Sequence, residues 1–238
     1  MTNKAGNTGR RTDRIVITKA NALIEASYTL SLHEQRMILA CAAQLDGRKP
    51  IPKDNIFTLT AEEYGARFDL EQSSLYRHME EAANKLYERD IREVRGSTQK
   101  RTRWVYLAEY CKGEGKVRLG FSPEIAPYIT LLHKRFTSYK LSEISGLTST
   151  HSIRIYEMLM QYQSTGVFNI AVDDLRERLM LESKYPRFAN FKQRILEPVV
   201  KELRSKTSLD VSWAPIKKGR GVERIVFSFK EKPQMSLL

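Results

Sequence analysis

FTLTAEEYGARFDLE at 57–71 and FNIAVDDLRERLMLE at 168–182 decide the fold, because the second is a rough copy of the first at an offset of 111 residues. Each opens with apolar and polar residues in alternation, the period of a strand, then passes into apolar residues three and four apart, the period of a helix. Thr60 is the expected cap of the first of these helices over 61–68. Asp173 and Asp174 open the second, running to Leu181, where carboxylates suit free amides and the helix dipole. Further on, Leu86 matches Leu203 and Val94 matches Val211 at an offset of 117, so the helix in between is slightly longer in the second copy.

A helix precedes each stretch. Ser31 begins SLHE, a capping box with Glu34, and leads a helix through Met37–Ala40 that ends near Gly47. Ser149 caps a helix through Ile153, Tyr156, Leu159 and Met160 that Gly166 ends. A second helix follows each stretch, over 74–89 and 187–206. Strands come next: 91–95, 102–110 and 116–121 in the first half, then a helix over 124–134. In the second half, strands over 209–213 and 224–230 flank the turn PIKKGRG. Residues 15–26 read as extended at the start. Helix, strand, helix, helix, hairpin is the order of a winged helix, so the fold class is α+β, two tandem winged-helix domains related by a weak internal repeat. The expected layout is a disordered basic tail over 1–14, an N-terminal winged helix over 15–134 and a C-terminal one over 135–232, with the boundary within 133–142.

Composition narrows the partners. The 238 residues suit one or two domains, and 40 Lys and Arg against 28 Asp and Glu give a net charge of +12. That excess favours a polyanion such as nucleic acid, or an anionic membrane surface. No run of about 18 apolar residues exists to span a bilayer. MTNKAGNTGRRTDR lacks the apolar core of a secretory signal. Cys41 and Cys111 cannot build a disulfide framework or a four-thiolate zinc site, and read as small apolar side chains in a reducing cytosol.

Catalytic signals fail one by one. GEGKV at 113–117 has Gly-Lys, but Val117 follows and the upstream glycine of a phosphate loop is missing, so it reads as a hairpin turn. His33, His78, His133 and His151 are scattered through helical patterns, not paired on a strand as nicking enzymes need. Asp173 and Asp174 serve a helix start better than a metal. Tyr156 and Tyr162 look like helix residues packed at the core or half buried. The expectation is a non-enzymatic protein without metal or cofactor.

In a helix-turn-helix pair the second helix enters the major groove. Over 187–204, Phe188, Phe191, Ile195, Leu196, Val199 and Leu203 gather on one face, and Arg187, Asn190, Gln193, Arg194, Glu197, Lys201 and Arg204 on the other. Arg can grip guanine through O6 and N7, and Asn and Gln can grip adenine. The competing reading is an ordinary solvated helix face. Pro198 must kink this helix or end its regular part, so residues up to Glu197 are the better groove contacts. Over 74–89 the outer face holds Arg77, Glu80, Glu81, Asn84 and Glu88, whose carboxylates repel phosphate. Only its first turn, with Tyr76, Arg77 and His78, could approach DNA. Lys217, Lys218, Arg220 and Arg224 lie in or beside the second wing, between Gly219 and Gly221. Arg92, Arg95, Lys100, Arg101 and Arg103 give the first hairpin a plausible backbone contact; solvated hairpin tips are the alternative.

These residues resemble a known family. NALIEASYTLSLHEQRMILACAAQL, FTSYKLSEISGLTSTHSIRIYEMLMQY and FKQRILEPVVKEL, in this order and with the tandem arrangement, are similar to the replication initiators of iteron-containing plasmids, over about residues 16–230. The resemblance implies a sequence-specific binder of double-stranded DNA at directly repeated origin sites. It implies recruitment of host initiator, helicase and loader, a homodimer formed through the N-terminal domain, and autorepression with copy-number control. It implies a cytoplasmic, plasmid-associated protein with no membrane partner. It places groove reading on Arg187, Asn190, Lys192, Gln193 and Arg194; on the helical wheel Lys192 projects near the apolar side. A winged-helix transcription repressor without a replication role would show the same fold and charge.

Overall fold

The computed structural model describes residues 12–45, 52–95, 97–111, 113–129 and 135–233. They form two compact units, Met1–Gly146 and Leu147–Leu238. Most of the expected basic tail lies outside the described residues, Arg10 and Arg11 included. Thr12 is buried, and its carbonyl accepts from the Ile15 N–H.

In the first unit, β1 (Val16–Ala20) pairs antiparallel with β7 (Phe136–Lys140), from Val16 opposite Lys140 to Ala20 opposite Phe136. The extended start turns helical at once in α1 (Asn21–Glu25). Strand β7 and the helix after it, α6 (Leu141–Ser145), belong to this unit. The compact units therefore divide beyond the expected boundary at 134. The reason is a pairing across the whole unit, which local periodicity does not encode.

Helix α2 (Leu32–Ala42) starts at the expected capping box: Ser31 and Glu34 exchange both bonds. Glu34 has a second task, because Arg89 donates to its carboxylate at 3.2 Å. Every residue from Glu34 to Ala42 is buried. Packed around this helix are β2 (Ile56–Thr60), α3 (Ala61–Phe68) and α4 (Gln72–Tyr87). Thr60 caps α3, and Glu63 returns the bond.

Strands β5 (Val105–Cys111) and β6 (Lys116–Phe121) complete a three-stranded sheet in the order β2-β6-β5. Strands β3 (Asp90–Arg95) and β4 (Thr98–Arg103) form a separate two-stranded ribbon between α4 and that sheet. The match of Val94 with Val211 is thereby overturned. Position matters more than spacing here: β5 and β6 carry the winged-helix hairpin, and β3–β4 is an insertion. Of the helix expected over 124–134, α5 (Ala126–Ile129) is seen, and 130–134 lie outside the described residues.

The second unit repeats the plan without the insertion. Helix α7 (Thr150–Met160) is capped by Ser149 and buried from Ser152 to Met160. It leads to β8 (Val167–Ala171), α8 (Val172–Arg178), α9 (Phe188–Phe191), a π-helical turn over Lys192–Leu196, and α10 (Glu197–Lys206). Strands β9 (Leu209–Lys218) and β10 (Gly221–Glu231) close a sheet in the order β8-β10-β9. The order matches that of the first unit, with the last strand in the middle. Phe168 and Phe227 stack across it at 6.1 Å.

Gly166 is where β10 comes too close for a side chain. It has φ +67°, and a β-carbon would sit 2.7 Å from the Phe229 carbonyl oxygen. The Phe229 N–H also donates to the Gly166 carbonyl at 2.8 Å. Gly166→Ala should lower unfolding free energy by about 2 kcal/mol or more, since left-handed strain and the clash add. Urea unfolding measures it; an unchanged midpoint would contradict this packing.

Candidate nucleic-acid interface

The approach to α9 is held by an arginine that sequence reasoning missed. Arg176 on α8 donates to the carbonyls of Tyr185 at 3.0 Å and Pro186 at 3.3 Å, and to Asp173 at 3.3 Å. Its guanidinium also lies 5.2 Å from the centre of the Phe191 ring. Met180 and Tyr185 take left-handed backbone angles in this turn. One cation thus fixes both a strained connection and the first buried residue of the second helix. In sequence Arg176 is simply a basic residue on a short helix; only the folded turn brings the two carbonyls to it.

From that anchor the side chains divide into bound and unbound. Arg187 stands at the N-cap of α9 without using its side chain as a cap. Arg187, Asn190, Lys192, Gln193, Arg194, Lys201 and Arg204 are all exposed. Within the described residues, the side chains of Arg187, Asn190, Gln193, Arg194 and Lys201 make no hydrogen bond or ion pair. Lys192 lies 6.0 Å from the centre of the Trp213 ring and 3.4 Å from Glu197. Arg204 pairs with Asp210 at 3.2 Å. A carboxylate beside a cation offsets part of its charge and occupies one of its donors, which an unbound cation is spared. The two bound residues both turn toward β9, so the outer face expected over 187–204 is narrower than its helical projection.

The wing shows the same division. Both strands run further than expected, to Lys218 and from Gly221, around a tight turn at Gly219 and Arg220. Strand β8 pairs only with residues 224–228 of β10, so beyond Arg224 the hairpin is a two-stranded ribbon. Lys217 and Arg220 make no side-chain bond within the described residues. Lys218 pairs with Glu223 at 3.1 Å, and Arg224 donates to Asn169 at 2.7 Å, fixing the ribbon's base.

In the first unit, among the described residues, the cations of α4 and Arg101 have side-chain partners, while Arg92 and Lys100 on the inserted ribbon do not. On α4, Glu81 lies 4.0 Å from both Arg77 and Lys85. His78 does not project freely: its ring stacks on His33 at 4.4 Å. His33 bonds the Tyr64 hydroxyl through Nδ1 at 2.9 Å. Burial, with His78 and Arg36 nearby, lowers the His33 pKa to about 4, so it is neutral at physiological pH. Arg101 donates to Asp90 at 2.6 Å and sits opposite Arg92 on the inserted ribbon. The expected parallel between Arg101 and the second wing therefore fails, because the matching turn joins β5 to β6. There Lys116 pairs with Glu114. Arg95 and Lys112 carry no described side chain.

Glu202 locks the far end of the second helix. Its carboxylate accepts from the Thr148 N–H at 2.8 Å, the Thr148 hydroxyl at 2.7 Å and Lys206 at 2.9 Å. Burial opposes ionisation, but these bonds outweigh it and bring the carboxyl down to about 2.

Asp173 and Asp174 open α8, where Asp173 pairs with Arg176 at 3.3 Å. Within the described residues no His, Cys, Asp or Glu cluster is arranged to hold a metal. No helix there is long and apolar enough to cross a membrane.

Two units of this topology define a tandem winged-helix protein. The family model of the initiator replication protein, WH1, matches residues 16–160, and that of the initiator Rep protein, WH2, matches 171–229. The chain belongs to this family of plasmid replication initiators. It is 29% identical over 232 residues to a replication initiation protein of Escherichia coli, covering 94% of this chain and 72% of that protein. It is 26% identical to the PI protein of Escherichia coli, covering 89% of this chain and 82% of the other. The crystal structure of the Pi initiator protein in complex with iteron DNA superimposes with a TM-score of 0.79 at 26% identity, over 93% of this chain and 99% of that one.

The depressed Glu202 carboxyl carries a pH signature. Its contribution to stability is complete above the ordinary carboxylate range and is lost as pH falls toward about 2. Glu202→Gln should flatten the acid side of the stability profile followed by urea unfolding between neutral pH and about pH 3. A variant profile as steep as the wild type would remove Glu202 from this role.

Proposed function

We propose that this chain starts plasmid replication by binding direct-repeat duplex sites at the origin. In this reading the second winged helix reads bases through Asn190, Gln193 and Arg194, flanked by Arg187 and Lys201. Lys217 and Arg220 on the wing neutralise phosphates. The supporting observation is the division of cations: within the described residues, this exposed stripe has Arg, Asn and Gln side chains with no partner inside the protein. Lys192, Arg204, Lys218 and Arg101 are assigned backbone contacts at most, since a neighbouring carboxylate offsets the charge of each. The similarity to a protein solved on iteron DNA supports the same reading.

The first winged helix then touches the backbone or protein instead of reading sequence, because Glu81 holds the cations of α4. We assign it the homodimer contact, with dimers repressing the gene and monomers occupying the repeats. Recruitment of host initiator and replicative helicase with its loader follows binding. The protein acts in the bacterial cytoplasm on plasmid DNA and needs no cofactor or catalytic residue of its own. A plasmid whose only origin is this gene with its flanking DNA separates this role from that of a repressor: replication supports the initiator, and failure supports the repressor.

The cognate duplex can be selected from a random pool about two helical turns long. With roughly 6–8 phosphates neutralised, log affinity should fall with log salt at a slope of about −5 to −7. Arg194→Ala should cost about 1–3 kcal/mol of discrimination against scrambled duplex. Lys217→Ala should leave discrimination intact and reduce the slope by about 1. Glu81→Ala should leave specific affinity unharmed. Discrimination unchanged in Arg194→Ala would sink the assigned helix.

A further inference from the structure

The second helix of the C-terminal unit carries one residue too many in a single turn. Over Lys192–Leu196 the backbone is π-helical, and the Glu197 N–H reaches back to the Lys192 carbonyl. Pro198 follows at once. These two facts are linked. Proline has no N–H for the Arg194 carbonyl four residues back, and in a regular α-helix its ring would collide with that carbonyl. Opening the turn moves the carbonyl aside, and the helix resumes after it.

The extra residue changes which side chains share a face. One surplus residue in a turn makes everything after it lag by about 100°. With that lag, the six apolar residues Phe188, Phe191, Ile195, Leu196, Val199 and Leu203 fall within about 100° of each other, against about 140° in an unbroken helix. Lys192 and Arg204, about 120° apart in an unbroken helix, come within about 40°. The contacts agree: Lys192 lies over Trp213 and Arg204 pairs with Asp210, and both partners are on β9. Asn190, Gln193, Arg194 and Lys201 stay exposed on the other side.

We propose that Pro198 is a positioning residue for base reading: through the widened turn it sets the stripe presented to the groove and turns Arg204 away from it, to the side where Lys192 already lies. This rests on the reading that residues 190–194 contact bases. Pro198 is exposed, so replacing it leaves no cavity. Alanine and glutamine are far better helix formers. Pro198→Ala and Pro198→Gln should both fold, the gain in helix propensity offsetting the wider spread of the apolar face. Each restores the missing donor and lets the turn close.

The test uses the full chain and the duplex selected by the wild type. Both variants should lose about tenfold or more in the ratio of selected to scrambled duplex binding. Affinity for scrambled duplex should stay within about twofold and the salt slope should be unchanged, because no cation is removed. Reselection from the random pool with Pro198→Ala should return altered base preferences. Wild-type preferences in either variant, with Arg194→Ala still losing discrimination, would overturn the role of Pro198 alone. If Arg194→Ala keeps its discrimination, the underlying reading falls instead.

Discussion

In each unit one helix is surrounded. Every residue from Glu34 to Ala42 and from Ser152 to Met160 is buried, although both runs include charged side chains. A helix hidden on all faces has to be the centre around which other elements pack. Its first turn must also be satisfied within the protein, and side chains there do so. Glu34 closes a capping box and meets Arg89, while Glu202 reaches the Thr148 hydroxyl and amide just before Ser149 caps the other helix. These carboxylates tie the centre of each unit to its helix-turn-helix pair, so the fold and the surface of the second helix are linked.

From that constraint the two copies diverge in charge and in backbone. The first pairs several of its cations with its own carboxylates, at Glu81, Asp90 and Glu114. It also carries a two-stranded insertion that the second lacks. The second leaves Arg187, Asn190, Gln193 and Arg194 unbound within the described residues, above Phe191, Ile195 and Leu196 in the core. An apolar underside holds this helix firmly while its outer side stays available. Arg176 ties the start of the helix and Glu202 its end to the rest of the unit.

Much of this was legible in the order of residues. The capping box at Ser31 and the cap at Thr60 are local chemistry and appear as expected, the latter with Glu63 returning the bond. Hydrophobic period placed the main helices and several strands to within a few residues, and the repeat gave the tandem winged helix. The single strand read over 102–110 is two, however, β4 and β5, and neither β7 nor α6 was read as an element. The exposed side chains of 187–194 were legible too, since amphipathic spacing alone puts them opposite Phe191 and Ile195. Where the reading failed, the deciding contact was distant. Val94 looked like the partner of Val211 because spacing cannot tell an inserted ribbon from a sheet strand. Strand β7 looked like the start of the second half because its partner, β1, lies at the other end of the unit.

The sequence by itself determined the elements, their order and the sign of the surface, because capping, periodicity and charge are properties of neighbours along the chain. Only the tertiary structure decided which cations are available, by setting Asp210 beside Arg204, Trp213 beside Lys192 and two carbonyls beside Arg176. It also decided the phase of the second helix after Pro198. A proline predicts that a helix must yield, but how it yields is set by the apolar residues that have to stay buried on both sides of it.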